Sequence, residues 1–356
     1  MQIMIRADAS VVLGSGHVMR CLTLASVLRS EGHDIGFVCR AHSGHLGAYI
    51  ETQGFSCALL PADEAYGILG APLITDAKDM VALAQKADLV IVDHYALGME
   101  WERAMPCPVM VIDDMFDREH DCAILLNQNL GVTANAYQEL VPSVTNCLTG
   151  VQYALLRPEF SKQRMRALAS RQNRRVREIL ITLGGADADN ATSWVLDALG
   201  SMALPPEIKL TIVMGMSAPH FEQIKAQAGQ FAVHTEVLQG SDDMAGLMAR
   251  ADIAIGAAGS TSWERCVLGL PTIMVVLAEN QKDIAITLAT AGAAHLCKLW
   301  QSVELEQYVS RLLNDPAALA EMQSQAAAIC DGIGVERVTQ ALYSSLSFQN
   351  MQQEQP

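Results

Sequence analysis

The chain has 356 residues, 51% of them apolar and 18% charged, with a formal net charge of −15, a composition that fits two globular α/β domains and excludes a disordered chain. The acidic balance and the lack of a Lys/Arg block argue against nucleic acid as a partner, and no run of about 18 apolar residues suggests a membrane span. Nine scattered cysteines without a C-x-x-C pair predict reduced thiols rather than disulfides or a zinc site.

In chain order, a short buried strand at Met1–Ile5 leads into Gly14-Ser-Gly-His-Val-Met-Arg20. From Val18 the apolar residues Val18, Cys21, Leu22, Leu24, Ala25 and Leu28 recur at helical spacing. Gly14 and Gly16 therefore sit where strand turns into helix, with His17 at the helix start. Glycine there lets a ligand approach the backbone, and the first amides of a helix favour an anion. The helix dipole favours a neutral imidazole, which suits a general base. His17 alone is equally readable as a packed helix-start histidine. Asp8 either orients His17 or makes an ordinary loop turn. Arg20, one helical turn on, either faces the same site or is a plain surface arginine.

Further strands are expected at Asp34–Cys39, Ser56–Leu60, Leu89–Asp93, Val109–Ile112 and Ala123–Leu126, with helices between them. Asp93-His94-Tyr95 and Asp113-Asp114 end two of these strands, where ligand-facing residues are expected. His42 and His45 lack a third ligand, so no metal site is expected there. Around Leu156 to Val176 the pattern breaks. The arginine-rich stretch Arg164 to Arg177 reads as a solvated helix and connection.

A second series of strands follows at Glu178–Leu183, Lys209–Met214, Val233–Leu238, Asp252–Ile255 and Thr272–Val276. Gly184-Gly185 turns the first of these toward a helix for which Asn190 is a candidate cap, and offers a second place for a phosphate. The P-loop and G-x-G-x-x-G patterns are both absent. At Gly259-Ser-Thr-Ser-Trp-Glu264, Glu264 either closes a capping box on Thr261 or grips the two hydroxyls of a ribose. Asn280 either caps the next helix or donates to a sugar, and Gln281 follows it. After Leu296 the chain reads as purely helical.

The expected organisation is a domain over residues 1–165, a second over 176–334, a helix at 335–347 packing back across the domains, and a mobile polar tail at 348–356. The fold class is α/β with two doubly wound parallel sheets. Ligands of such sheets bind beyond the carboxyl ends of the strands, so the loops named above are expected to face a central cleft.

Taken together, Ile5-Arg-Ala-Asp-Ala-Ser10, Gly14 to Arg20, Val92-Asp-His-Tyr95, Val111-Ile-Asp-Asp114, Leu125-Leu-Asn127, Gly150 to Phe160, Leu183 to Asp187 and Glu279-Asn-Gln281 resemble the PseG family. These are UDP-sugar hydrolases of pseudaminic acid biosynthesis. The likeness spans most of residues 1 to about 290. It implies a MurG-like GT-B fold with two Rossmann-like domains. It also implies hydrolysis of UDP-2,4-diacetamido-2,4,6-trideoxy-β-L-altropyranose at C1 with inversion, without cofactor or metal. The family's active-site histidine falls on His17, its cleft tyrosine on Tyr95 and its cleft asparagine on Asn280. The ribose-binding glutamate of the wider GT-B group falls on Glu264.

The expected partner is then a small UDP-sugar. Gly14, Gly16, Arg20, Gly184, Gly185, Gly259, Ser260, Thr261, Glu264 and Gln281 would form its binding residues. Helix starts near Gly184-Gly185 and Ser260-Thr261 would stabilise the departing UDP. No signal peptide is recognisable, so the expected protein is cytoplasmic, a monomer or weak dimer with no nucleic acid or membrane partner. A glycosyltransferase on the same fold, a nucleotide-sugar binder without turnover and a hydrolysing 2-epimerase are the competing readings.

Overall fold

The computed structural model describes residues 1–172, 175–184, 187–216 and 218–353, without the side chains of Asn280 and residues 347–353. The first sheet contains β1 (Gln2–Ala7), β2 (Asp34–Arg40), β3 (Ser56–Leu60), β4 (Leu89–Asp93), β5 (Val109–Ile112), β6 (Ile124–Asn127) and β7 (Asn146–Thr149). The second contains β8 (Glu178–Thr182), β9 (Lys209–Met214), β10 (His234–Gln239), β11 (Ile253–Ala257), β12 (Thr272–Val275) and β13 (Ala294–Cys297). Their orders are β3-β2-β1-β4-β5-β6-β7 and β10-β9-β8-β11-β12-β13.

Neighbouring strands in both sheets run parallel. Parallel sheets need cover on both faces, which explains runs such as Leu89-Val-Ile-Val-Asp93, buried at every position. In each sheet the strand order reverses once, between β1 and β4 and between β8 and β11. Those two switch points are where doubly wound sheets bind ligands.

Two compact units divide the chain: Met1–Leu156 with the chain from Ile333 onward, and Arg157–Gly332. In the first, the helix Gly16–Ser30 buries Val18, Cys21, Leu24 and Leu28 against Ile3 and Ile5 of β1. The last helix, Gly334–Gln353, adds Val335, Val338 and Leu342 to that core. Its first residue must be small, because a Cβ on Gly334 would lie 2.3 Å from the Ala154 carbonyl oxygen. This helix runs past residue 347, where the sequence suggests a tail, and residues 354–356 lie outside the described residues. Among the described residues no helix is long and apolar enough to cross a membrane.

The helix Pro158–Arg171 belongs to the second unit, not to the first as the 1–165 boundary expects. The expectation of a solvated basic helix is also corrected. Arg171 is buried, and its guanidinium donates to the carbonyls of Met248 (2.5 Å), Ala249 (2.9 Å) and Ala251 (2.9 Å) at the end of the helix Met244–Arg250. Arg164 donates likewise to Val267, Ala327 and Cys330. A cation at a helix C-terminus satisfies orphan carbonyls and complements the dipole, so these arginines hold the unit together.

Arg171→Met is expected to lower the unfolding free energy by about 2–4 kcal/mol, since several buried carbonyls lose their donor at once. Urea denaturation measures this. A change below about 0.5 kcal/mol, the level of an ordinary surface substitution, would show that the arginine carries no structural weight.

Candidate active site

At the switch point of the first sheet, the loop after β1 and the end of β4 bring their side chains together. Gly14 sits at φ +74°, a conformation that favours glycine, and closes a tight turn by donating its N–H to the Ser10 carbonyl at 2.8 Å. Within that turn the Ser10 hydroxyl accepts from the amides of Val12 and Leu13. Beside Gly16 a Cβ would meet nothing within 4 Å, so open space rather than packing lies next to it.

His17 enters the helix directly after this turn and is buried. Its Nδ1 lies 2.6 Å from Oδ1 of Asp93 at the end of β4. An ionised carboxylate only accepts, so Nδ1 carries a proton, and in the neutral form of the ring the lone pair is on Nε2. Asp93 also accepts from Arg20, at 2.6 Å from Nε to Oδ2 and 2.6 Å from Nη2 to Oδ1. Burial opposes ionisation of Asp93, but Arg20 and then His17 outweigh it and hold this carboxyl well below the usual range. Arg20 is in turn anchored 2.8 Å from Asp114, just past β5. The Tyr95 ring stands edge-on to the imidazole, with centroids 4.5 Å apart and planes at 81°.

The structure therefore joins His17, Arg20 and Tyr95, and adds Asp93 and Asp114, which the sequence reading left as strand-end carboxylates. Asp8, one of whose two readings has it orient His17, is committed elsewhere. Asp8 pairs with Arg6 at 2.7 Å and accepts the Arg40 amide at 2.7 Å. Arg20, with a plain surface position as one reading, is buried.

Next along the chain from Asp93, His94 is buried and approaches Asp8. Its Nδ1 accepts from the Ala96 amide at 3.0 Å, and its Nε2 faces the Ile68 carbonyl at 3.2 Å and Asp8 at 3.4 Å. Burial pushes its pKa below the ordinary histidine value, against the pull of Asp8.

In the second unit the loops at the switch point behave differently from one another. Gly184 adopts φ +98° and Gly185 lies outside the described residues. The start of the helix Ala191–Ser201 is occupied by the chain itself. Asp187 accepts from the amides of Ala191 (2.8 Å) and Thr192 (3.1 Å). Asn190, the candidate cap, makes no capping bond there. This corrects the expectation that this helix start offers its amides to UDP, because a carboxylate already takes them.

After β11, the helix Thr261–Val267 follows Gly259 and Ser260. Of the two readings of Glu264, the capping box does not form, since this first-turn residue sits 3.6 Å from Arg157 instead. Burial raises the Glu264 pKa against the pull of Arg157. Gln281 uses its Oε1 to accept from the Leu277 amide at 2.9 Å, which fixes the turn after β12. The side chain of Asn280 lies outside the described residues. Among the described residues no group of three His, Cys, Asp or Glu is arranged to hold a metal ion.

Residues 178–334 match the glycosyltransferase family 28 C-terminal domain. The chain is 26% identical to the UDP-2,4-diacetamido-2,4,6-trideoxy-β-L-altropyranose hydrolase of Campylobacter jejuni, over 82% of this chain and 97% of that one. It is 25% identical to the spore coat polysaccharide biosynthesis protein SpsG of Bacillus subtilis, over 96% and 98% of the two chains. In structure it is similar to MurG of Acinetobacter baumannii, with a TM-score of 0.70 at 18% identity over 96% of this chain and 99% of that one. The resemblance read from the motifs is borne out, and the fold is GT-B-like, built from two α/β units with parallel sheets.

Two outcomes follow from the geometry. In ¹⁵N-detected NMR of the histidine rings, neutral His17 should show its proton on Nδ1, and Asp93→Asn should shift it. A proton on Nε2 in the wild-type protein would contradict the assignment. The folded state holds His94 less readily protonated than the unfolded chain does, so His94 adds stability above the ordinary histidine value of about 6.5. That contribution should be lost as pH falls below it, and thermal melts from pH 7.5 to 5 should flatten in His94→Gln. An unchanged slope would show that His94 does not carry this dependence.

Proposed function

We propose that this protein is an enzyme that hydrolyses a UDP-sugar, releasing UDP and the free sugar by attack of water at C1. The observation that carries the reading is the His17–Asp93 pair, with Arg20 holding the carboxylate ionised. A neutral ring whose Nδ1–H is committed to Asp93 has Nε2 as its basic atom. In the proposed step Nε2 takes a proton from water as the water oxygen bonds to C1. The C1–O bond to the diphosphate breaks, and UDP leaves with the bonding electrons. Water arrives on the face opposite the leaving group, so the anomeric configuration inverts. Tyr95, against the imidazole, restricts the ring's swing and borders the position of the sugar.

The second unit then serves the nucleotide. In this reading Glu264 takes the ribose hydroxyls, while Gly184, Gly259, Ser260 and Thr261 border the diphosphate. Gly14 and Gly16 leave room for the sugar, Asn280 contacts it, and Gln281 supports that loop. The similarity to the Campylobacter jejuni hydrolase favours the diacetamido-trideoxy-altropyranose as the sugar. The protein would then work in the cytoplasm in making pseudaminic acid, a nonulosonic acid of flagellin glycosylation. A second reading has its own support in the glycosyltransferase match over residues 178–334. There a sugar acceptor replaces water at C1.

Incubating the protein with that UDP-sugar in ¹⁸O-water, with no acceptor, separates the two. Hydrolysis predicts UDP release with label on the sugar's C1, and a loss of about 10²–10⁴-fold in turnover for His17→Asn. Release only after an acceptor is added would make the protein a transferase. Label in UDP would move the cleavage to the P–O bond.

A further inference from the structure

Arg265 stands apart from the other buried arginines. Arg6, Arg20 and Arg40 each meet an aspartate within 3 Å, and Arg171 lies on the carbonyl end of a helix. Arg265 is 1% exposed, and among the described residues it forms no ion pair. Its guanidinium donates to neutral oxygens, namely the Ala257 carbonyl (2.7 Å), Ser262 Oγ (3.0 Å) and Thr261 Oγ1 (3.3 Å). Its Nε has no partner. Burial pulls its pKa down to about 10, so it remains a cation at neutral pH.

The strand beside it keeps a space for this cation. A Cβ on Gly256 would lie 2.6 Å from the Arg265 Nη1, so only glycine leaves the guanidinium where it is. A buried charge with no carboxylate in contact is costly, and the fold accommodates one directly behind the loop Gly259–Thr261, where Glu264 offsets only part of it from farther away. The threonine there turns the charge outward. A hydroxyl that accepts from a guanidinium has its own proton left to donate, and Thr261 is only partly buried.

We infer that Arg265 and Thr261 form a relay that binds the diphosphate of the nucleotide, with the buried guanidinium as counter-charge and the Thr261 hydroxyl as donor to a phosphate oxygen. This rests on the nucleotide reading given above. Arg265 never touches the ligand. It is a positioning residue, and Thr261 makes the contact. The effect is therefore specific to the phosphates and leaves the nucleoside alone.

The test compares UDP with uridine on the whole protein, by calorimetry for UDP and ligand-observed NMR for uridine. Arg265→Met and Thr261→Val should each weaken UDP by about 10- to 100-fold, uridine should bind as in wild type, and Thr261→Ser should restore UDP binding. Affinity for UDP within twofold of wild type in both variants would overturn the relay. So would a parallel loss of UDP and uridine, the mark of a collapsed loop. If Arg265→Met does not fold, Thr261→Val decides alone, since it removes one hydroxyl and keeps the shape. A wild-type protein that binds neither ligand would overturn the nucleotide reading itself, and the relay with it.

Discussion

Asp93 ends β4 with both carboxylate oxygens engaged, one shared by His17 and Arg20 and the other held by Arg20. Left to burial alone, such a carboxyl would take up a proton and become a poor partner for imidazole. The guanidinium prevents this, and Asp114 keeps the guanidinium in place from the next strand. The orientation of His17 and the position of its ring proton therefore depend on a chain of charges set by the strand order β1-β4-β5. Neither residue of the His17–Arg20 pair is useful without the helix that presents both toward β4, one turn apart.

The same sheet carries a second charged group that is easily confused with the first. Arg6, Asp8, Arg40 and Asp76 pair with one another in the interior, and Trp101 donates to Asp76 at 2.9 Å. This cluster ties β1 and β2 to the helix Leu73–Leu83. Breaking a buried pair costs more than its net worth in place, because it leaves the other charge buried and unpaired. His94 approaches this cluster through Asp8, at 3.4 Å. In the second unit, by contrast, the buried arginines Arg171 and Arg265 are used against carbonyls and hydroxyls.

Much of this was legible in the residues. Alternating strand and helix signals predict two parallel sheets, and Ser56–Leu60, Leu89–Asp93, Val109–Ile112 and Lys209–Met214 coincide with strands in the structure. The edge strands β7 and β13 escape, because Asn-Cys-Leu-Thr and Ala-His-Leu-Cys are short and lack a long apolar run. Around His17 the glycines and the helix start point to the right loop, yet Asp8 comes up as a candidate partner only through closeness along the chain. Asp93 is 76 positions away and becomes a neighbour only through the crossover from β1 to β4. Knowing that adjacent strand ends at a switch point face one site would have favoured it. Asp187 illustrates the converse: a pattern that suggests Asn190 as a cap gives no sign that a carboxylate earlier in the loop folds over the helix start.

The central claim is that an ionised Asp93 makes His17 a base, and turnover of Asp93→Asn on the UDP-sugar addresses it most directly. Asparagine keeps the size and one hydrogen bond but no longer fixes the proton on Nδ1. The account predicts a loss of about 10³–10⁴-fold in kcat, by analogy with the same change behind a catalytic histidine in serine proteases, with an unchanged far-ultraviolet spectrum. A variant that folds and turns over within about threefold of wild type would contradict it.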